Sequence, residues 1–164
     1  MNELQKAILD ALKLLIRDDI DLIESQPKEE CINHRLARHL ECTLLKRGLL
    51  KKKDVDIEYN KYKEDEEKTS QGRNIRPDVL VHRRKSGNKD NLIVIEAKKH
   101  YDSKGDRQKV EDLVSSERFA YSVGAVISYF PKREHIKIKF FTSGDAWKIY
   151  LVNKNDFTIT ETTR

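Results

Sequence analysis

Cysteine is scarce in this chain, with Cys31 and Cys42 the only two. Eleven residues apart on one helix, they would stand about 16 Å from each other along the axis. That is too far for a disulfide, so the pair is expected to be reduced core residues, and a disulfide-stapled scaffold is excluded. No Cys/His grouping has zinc-ligand spacing; His34 and His39, five apart, point to different faces of a helix. Long apolar runs are missing too, and none approaches the roughly 20 residues a membrane helix needs. The first segment contains Glu3, Lys6 and Asp10 and reads as amphipathic, not as a leader. The expectation is therefore a cytoplasmic protein with no membrane partner. A glycine-rich phosphate loop, a Ser/His/Asp arrangement and an internal repeat are also lacking.

What the chain does have is charge. Charged residues make up 37% of it and hydrophobic residues another 37%, with a net charge of +5. The apolar residues cluster, and 164 residues suit one domain able to bury a core. The basic balance suits a polyanionic partner, since Lys and Arg neutralise phosphates. A merely basic soluble protein would have the same composition.

Leu4, Ala7, Ile8, Ala11, Leu12 and Leu15, then Leu22 and Ile23, recur at helical spacing and predict an amphipathic helix over about 3–24. Asp18, Asp19 and Asp21 on it read as a solvated face. Ser25, Gln26 and Pro27 mark a break, and Ile32, Leu36, Leu40 and Leu44 form the stripe of a second helix that stops at Gly48. Val55, Ile57 and Tyr59 alternate as a first strand. The polar stretch 60–74, which holds Lys61, Lys63, Lys68 and Arg73, is expected to be a long mobile loop. A third helix is expected over about 106–121, with strands at 125–129, 136–140 and 147–152, the last closing the sheet.

The stretch 76–100, RPDVLVHRRKSGNKDNLIVIEAKKH, organises the rest. Residues 79–83 and 91–98 read as two strands joined by turn formers at 86–91, a hairpin. Side chains alternate across a strand, so Val94, Glu96 and Lys98 share one face and Ile93, Ile95 and Ala97 the other. Asp78, at the head of the first strand, comes near Glu96 and Lys98. Two carboxylates and an ammonium on apolar strands are costly to bury unless something pairs them, and a divalent cation would.

This Pro77-Asp78 … Glu96-Ala97-Lys98 arrangement resembles the active site of the PD-(D/E)xK nuclease superfamily, the restriction-endonuclease-like fold. The charged composition also produces decoys, Glu66/Lys68 and Asp102/Lys104, but neither sits at the end of an apolar strand. The resemblance implies an α/β fold with an α-β-β-β-α-β core, a central mixed sheet flanked by helices. An extra N-terminal helix (1–25) and C-terminal strands would frame a core over 26–152. It implies a metal-dependent nuclease, DNA in preference to RNA, using Mg²⁺ or Mn²⁺ in its place. Asp78 and Glu96 would be ligands, with the Ala97 carbonyl and Glu29 joining them, and Lys98 would be the catalytic lysine.

Glu29 has two readings: complementing the helix dipole in the first turn, or serving as the third carboxylate, which the resemblance favours. Gln108 and Lys109 match a segment that in related proteins supports the lysine or touches DNA. Arg35 is structural or phosphate-facing. The resemblance also admits a homodimer, since cutting both strands of a duplex takes two sites. The competing reading is a nuclease-like module that binds nucleic acid or a partner protein without cutting.

Overall fold

The apolar stripe read from the sequence forms α1 (Glu3–Glu24), with Ala7, Ile8, Ala11, Leu12, Leu15 and Ile23 fully buried. Asn2 caps it: its side chain accepts from the Gln5 N–H, and the Gln5 side chain accepts from the Asn2 N–H, each at 2.9 Å. This computed structural model describes residues 1–61, 67–70, 72–84 and 86–163, with Ser70 by its backbone alone. The helix kinks at Asp19 (φ −138°, ψ 27°). That turn carries the Asp19 carboxylate to Arg35 Nε at 2.7 Å and His39 Nε2 at 2.6 Å. Asp18 and Asp21 are solvated as expected, but Asp19 is not; it ties α1 to the next helix.

That helix, α2 (Glu29–Lys46), buries Ile32, Leu36, Leu40 and Leu44 completely. Gly48 follows its end with φ +67°, a left-handed conformation that suits glycine. Cys31 and Cys42 are free and exposed, which corrects the expectation of core cysteines. Cys31 is rotated about 100° from Ile32, and Cys42 lies about 200° from both Leu40 and Leu44, so neither falls on the stripe.

The sheet has seven strands in the order β1-β4-β5-β6-β7-β8-β9. They are β1 (Asp54–Ile57), β4 (Val79–His82), β5 (Ile93–Lys98), β6 (Val123–Ser128), β7 (His135–Phe141), β8 (Lys148–Asn153) and β9 (Ile159–Thr162). Only β5 and β6 run parallel, joined by the crossover helix α3 (Lys104–Ser115); every other neighbouring pair is antiparallel. The result is an α/β architecture around a mixed sheet. Ile93, Ile95 and Ala97 face the α1/α2 layer, while Leu80, Val94 and Val126 pack under Val110, Leu113 and Val114 of α3. The alternation read from the sequence is therefore the one the two layers use.

Four readings of secondary structure change. Alternation in β1 ends at Ile57, because Glu58 adopts φ +51° and shifts Tyr59 to the α3 side. The helix expected to reach Tyr121 stops at Ser115, and β8 does not close the sheet, since β9 pairs beyond it. The expected mobile loop contains a small hairpin of β2 (Thr69–Ser70) and β3 (Arg73–Asn74). Residues 62–66 and 71 lie outside the described residues. Lys68 is buried, only 1% exposed, with its amine donating to the Lys61 carbonyl and lying 4.8 Å from the Tyr59 ring centroid. Burial lowers its pKa to about 8. It is therefore not solvated, contrary to the expectation of a mobile loop. Among the described residues, no helix is long and apolar enough to cross a membrane.

Candidate active site

Strand register brings the acids together. Val79, the first residue of β4, pairs with Ile95, so the strand begins two residues short of the position opposite Ala97. The Asp78 carboxylate takes that place, its Oδ2 accepting from the Ala97 N–H at 2.8 Å. Glu96 projects from β5 on the α3 side and is 1% exposed. Lys98, two residues on, shares that face at the carboxyl end of the strand. Glu29, the first residue of α2, reaches the same strand end: its Oε2 accepts from the Lys99 N–H at 2.9 Å. Glu29 thus contacts the site in addition to occupying the first turn of its helix.

Four carboxylates surround the Lys98 ammonium. Its Nζ lies 3.4 Å from Glu29, 3.7 Å from Asp78, 3.9 Å from Glu96 and 3.9 Å from Asp106. Asp106 belongs to the first turn of α3, whose N-cap Ser103 forms a capping box with it. The same helix aims Lys109 at Glu96, with Nζ donating to Oε2 at 2.8 Å. Sequence reasoning missed Asp106 as a site residue; a Ser103-x-x-Asp106 capping signature is present, but it shows only where a helix starts, not which strand its first turn overhangs. Lys109 is brought into the site. Gln108 lies beside it and donates to Asp112. Arg35 pairs with Asp19 and has a structural role in joining α1 to α2.

The electrostatics follow from this crowding. Burial, then the Asp78 charge, raises the Glu96 pKa from 4.5 to about 7, against the pull of Lys109 and Lys98. Burial also raises Asp78, offset in part by the Ala97 N–H and Lys98. Desolvation pulls the Lys98 pKa down, but Asp78, Glu29, Glu96 and Asp106 together outweigh it and raise it. Glu96 Oε1 is buried without a hydrogen-bond partner among the described residues. A buried oxygen with unused lone pairs is expensive unless something else takes it.

These residues suit a hard divalent cation in their donor chemistry: carboxylate oxygens, one of them orphaned, plus strand-end carbonyls such as Ala97. Four acids around the two ammoniums of Lys98 and Lys109 leave two negative charges uncompensated when all are ionised. Among the described residues, however, no three acidic, His or Cys side chains are placed so that together they could hold a metal ion, and the acids are grouped around Lys98 instead.

Two clefts flank the group. One of about 570 Å³ is lined by Arg73, Asn74, Lys104, Asp106 and Lys109, between the small hairpin and α3. The other, about 620 Å³, has Glu29 and Lys98 in its wall. The site is therefore reachable from solvent. Neither a protein-family model nor a curated protein matches the chain, so the functional reading rests on the residues themselves.

Proposed function

We propose that the chain is a metal-dependent phosphodiester hydrolase acting on nucleic acid, DNA in preference to RNA, on a restriction-endonuclease-like core. The observation that supports this best is the convergence of Asp78, Glu96 and Glu29 on Lys98, with two negative charges in excess and the Glu96 Oε1 unpartnered. Asp78 and Glu96 would hold Mg²⁺, or Mn²⁺ in its place, with Glu29 directly or through water and the Ala97 carbonyl as a further ligand. The cation supplies charge neutralisation and Lewis acidity at the scissile phosphate. The other duties fall to the chain. The Ala97 N–H fixes the Asp78 carboxylate, and Lys109 fixes that of Glu96. The Lys98 ammonium orients the attacking water and stabilises negative charge that develops on the phosphoryl oxygens.

A second reading is favoured by one observation. Lys98 and Lys109 both pair with the acids, as they would in a nuclease-like module that binds nucleic acid or a partner protein without cutting. A panel of single- and double-stranded DNA and RNA, incubated with Mg²⁺ or Mn²⁺, separates the two. Wild type is expected to cleave, and Lys98→Ala to lose at least about 100-fold, the scale of one electrostatic catalytic group. Mg²⁺ is expected to raise the melting temperature of wild type but not of Asp78→Asn, because only a ligand bound by the folded state stabilises it. Binding without metal-dependent cleavage, and no thermal shift, would leave the non-cleaving reading.

A further inference from the structure

The second cleft contains a group that hydrolysis does not use. Tyr101, three residues beyond Lys98, is 67% exposed, more than any other large apolar side chain among the described residues. Lys98 lies in the wall of the cleft it lines, with Lys28, Glu30, Lys99 and His100 around it. An exposed tyrosine in mobile surroundings would be unremarked, but this one is braced. Its ring meets Phe130 edge-on at 5.0 Å, and the Arg133 guanidinium lies 5.0 Å from its centroid and 4.4 Å from that of Phe130. Arg133 also donates to the Tyr101 hydroxyl.

The loop that braces it is held at some expense. Phe130 takes φ +46°, a left-handed conformation unfavourable for a bulky side chain. Its N–H donates to the Lys99 carbonyl at 2.8 Å, as that of Tyr129 does to Lys98 at 2.9 Å, so the ends of β5 and β6 are bonded together past the sheet. The buried amine of Lys154 donates to the Phe130 carbonyl at 2.8 Å and reaches that of Pro131 at 3.4 Å. A strained aromatic and a buried lysine thus fix one exposed ring beside the acids, at the carboxyl ends of the two parallel strands. That is where open α/β sheets place ligands.

We infer that Tyr101 is a stacking platform for an unpaired nucleobase, so that the strand delivered to Lys98 is single-stranded at that point. A base inside a duplex has both faces covered by its neighbours, whereas an unpaired one can offer a face to a protein ring. Lys28, Lys99 and Arg133 supply cations for the adjoining backbone. The inference rests on the reading of Lys98 and its acids as a nucleic-acid site, but its test does not depend on cleavage.

In EDTA, DNA and RNA oligonucleotides carrying 2-aminopurine are titrated with wild type, Tyr101→Ala and Tyr101→Trp, as single strands and as blunt duplexes. Stacking quenches 2-aminopurine, so quenching of a single strand of either sugar by wild type and Tyr101→Trp, lost in Tyr101→Ala, supports the platform. Affinity for the single strand should fall about ten-fold in Tyr101→Ala and recover in Tyr101→Trp, with duplex affinity unchanged. Binding without quenching, or equal losses on both substrates, would overturn it. Adding Mg²⁺ keeps the two failures apart. Tyr101-dependent quenching with no cleavage removes the hydrolase and keeps the platform. Cleavage of blunt duplex that ignores Tyr101→Ala does the reverse.

Discussion

Glu96 shows how a single residue couples the site to stability. Without divalent cations its folded pKa of about 7 stands above the 4.5 of an ordinary glutamate, so the native state keeps a proton that the unfolded chain releases. A raised folded pKa contributes stability that is complete below pH 4.5 and is lost as pH rises through about 7, here by roughly 3 kcal/mol. Asp78, also raised, adds in the same direction from its own ordinary value upward. Denaturant unfolding in EDTA should therefore show wild type weakening between pH 4.5 and 7. Glu96→Gln, neutral throughout, should have a flatter profile and exceed wild type at pH 8. If it is weaker at both ends and the slope survives, the Glu96–Lys109 pair is a structural ion pair. Asp78, Glu96 and Lys98 were legible in the sequence because a strand's period of two fixes which side chains share a face. Asp106 was missed as a site residue because its position depends on how α3 lies across the sheet, which no local pattern encodes. Lys68 was misread for a related reason: its composition signals solvent, but tertiary packing buries it over Tyr59.

At the scale of elements, α3 carries two of the groups around Glu96 and Lys98, so the site depends on how closely that helix sits on the sheet. Gly124 sets this distance. A Cβ there would stand 2.3 Å from Val110 Cγ1 and 2.9 Å from Val114 Cγ2, both on α3. Gly124→Ala should cost about 1–3 kcal/mol through overpacking. It should also lower hydrolysis by displacing Asp106 and Lys109, an effect on kcat that remains well below the melting temperature. Gly48→Ala is the control: with φ +67° it should lose about 1 kcal/mol through backbone strain, with no change in activity. Equal activities for the two variants would mean that α3 does not position the chemistry. The order of elements was readable because each has its own period and turn residues. Their ends were harder, and β9 was missed because Ile159-Thr160-Glu161-Thr162 has one apolar residue and pairs only with a strand already in place.

Across the whole molecule two charge patterns oppose each other. The chain carries +5 overall, while the group around Lys98 is negative by two when its acids are ionised. A polyanion would therefore be attracted to the surrounding surface and repelled at the centre until a cation neutralises it. Arg73 and Lys104 line one cleft, and Lys28 and Lys99 line the other, so a strand crossing both would meet cations in each. Four phosphate contacts by a single strand give a slope of about −2.8 in a plot of log affinity against log salt, at about −0.7 for each. That is a loss of about fifty-fold between about 50 and 200 mM salt. Equilibrium titration of a single-stranded oligonucleotide in EDTA should show this slope. Arg73→Ala and Lys99→Ala should each make it shallower by about 0.7, additively in the double variant because the two clefts share no lining residue. Glu96→Gln should bind more tightly than wild type in EDTA, since one source of central repulsion is gone, yet keep the same slope. An affinity that stayed flat with salt would remove the nucleic-acid reading altogether. A steep slope unmoved by Arg73→Ala and Lys99→Ala would place the contacts on a different face of the molecule.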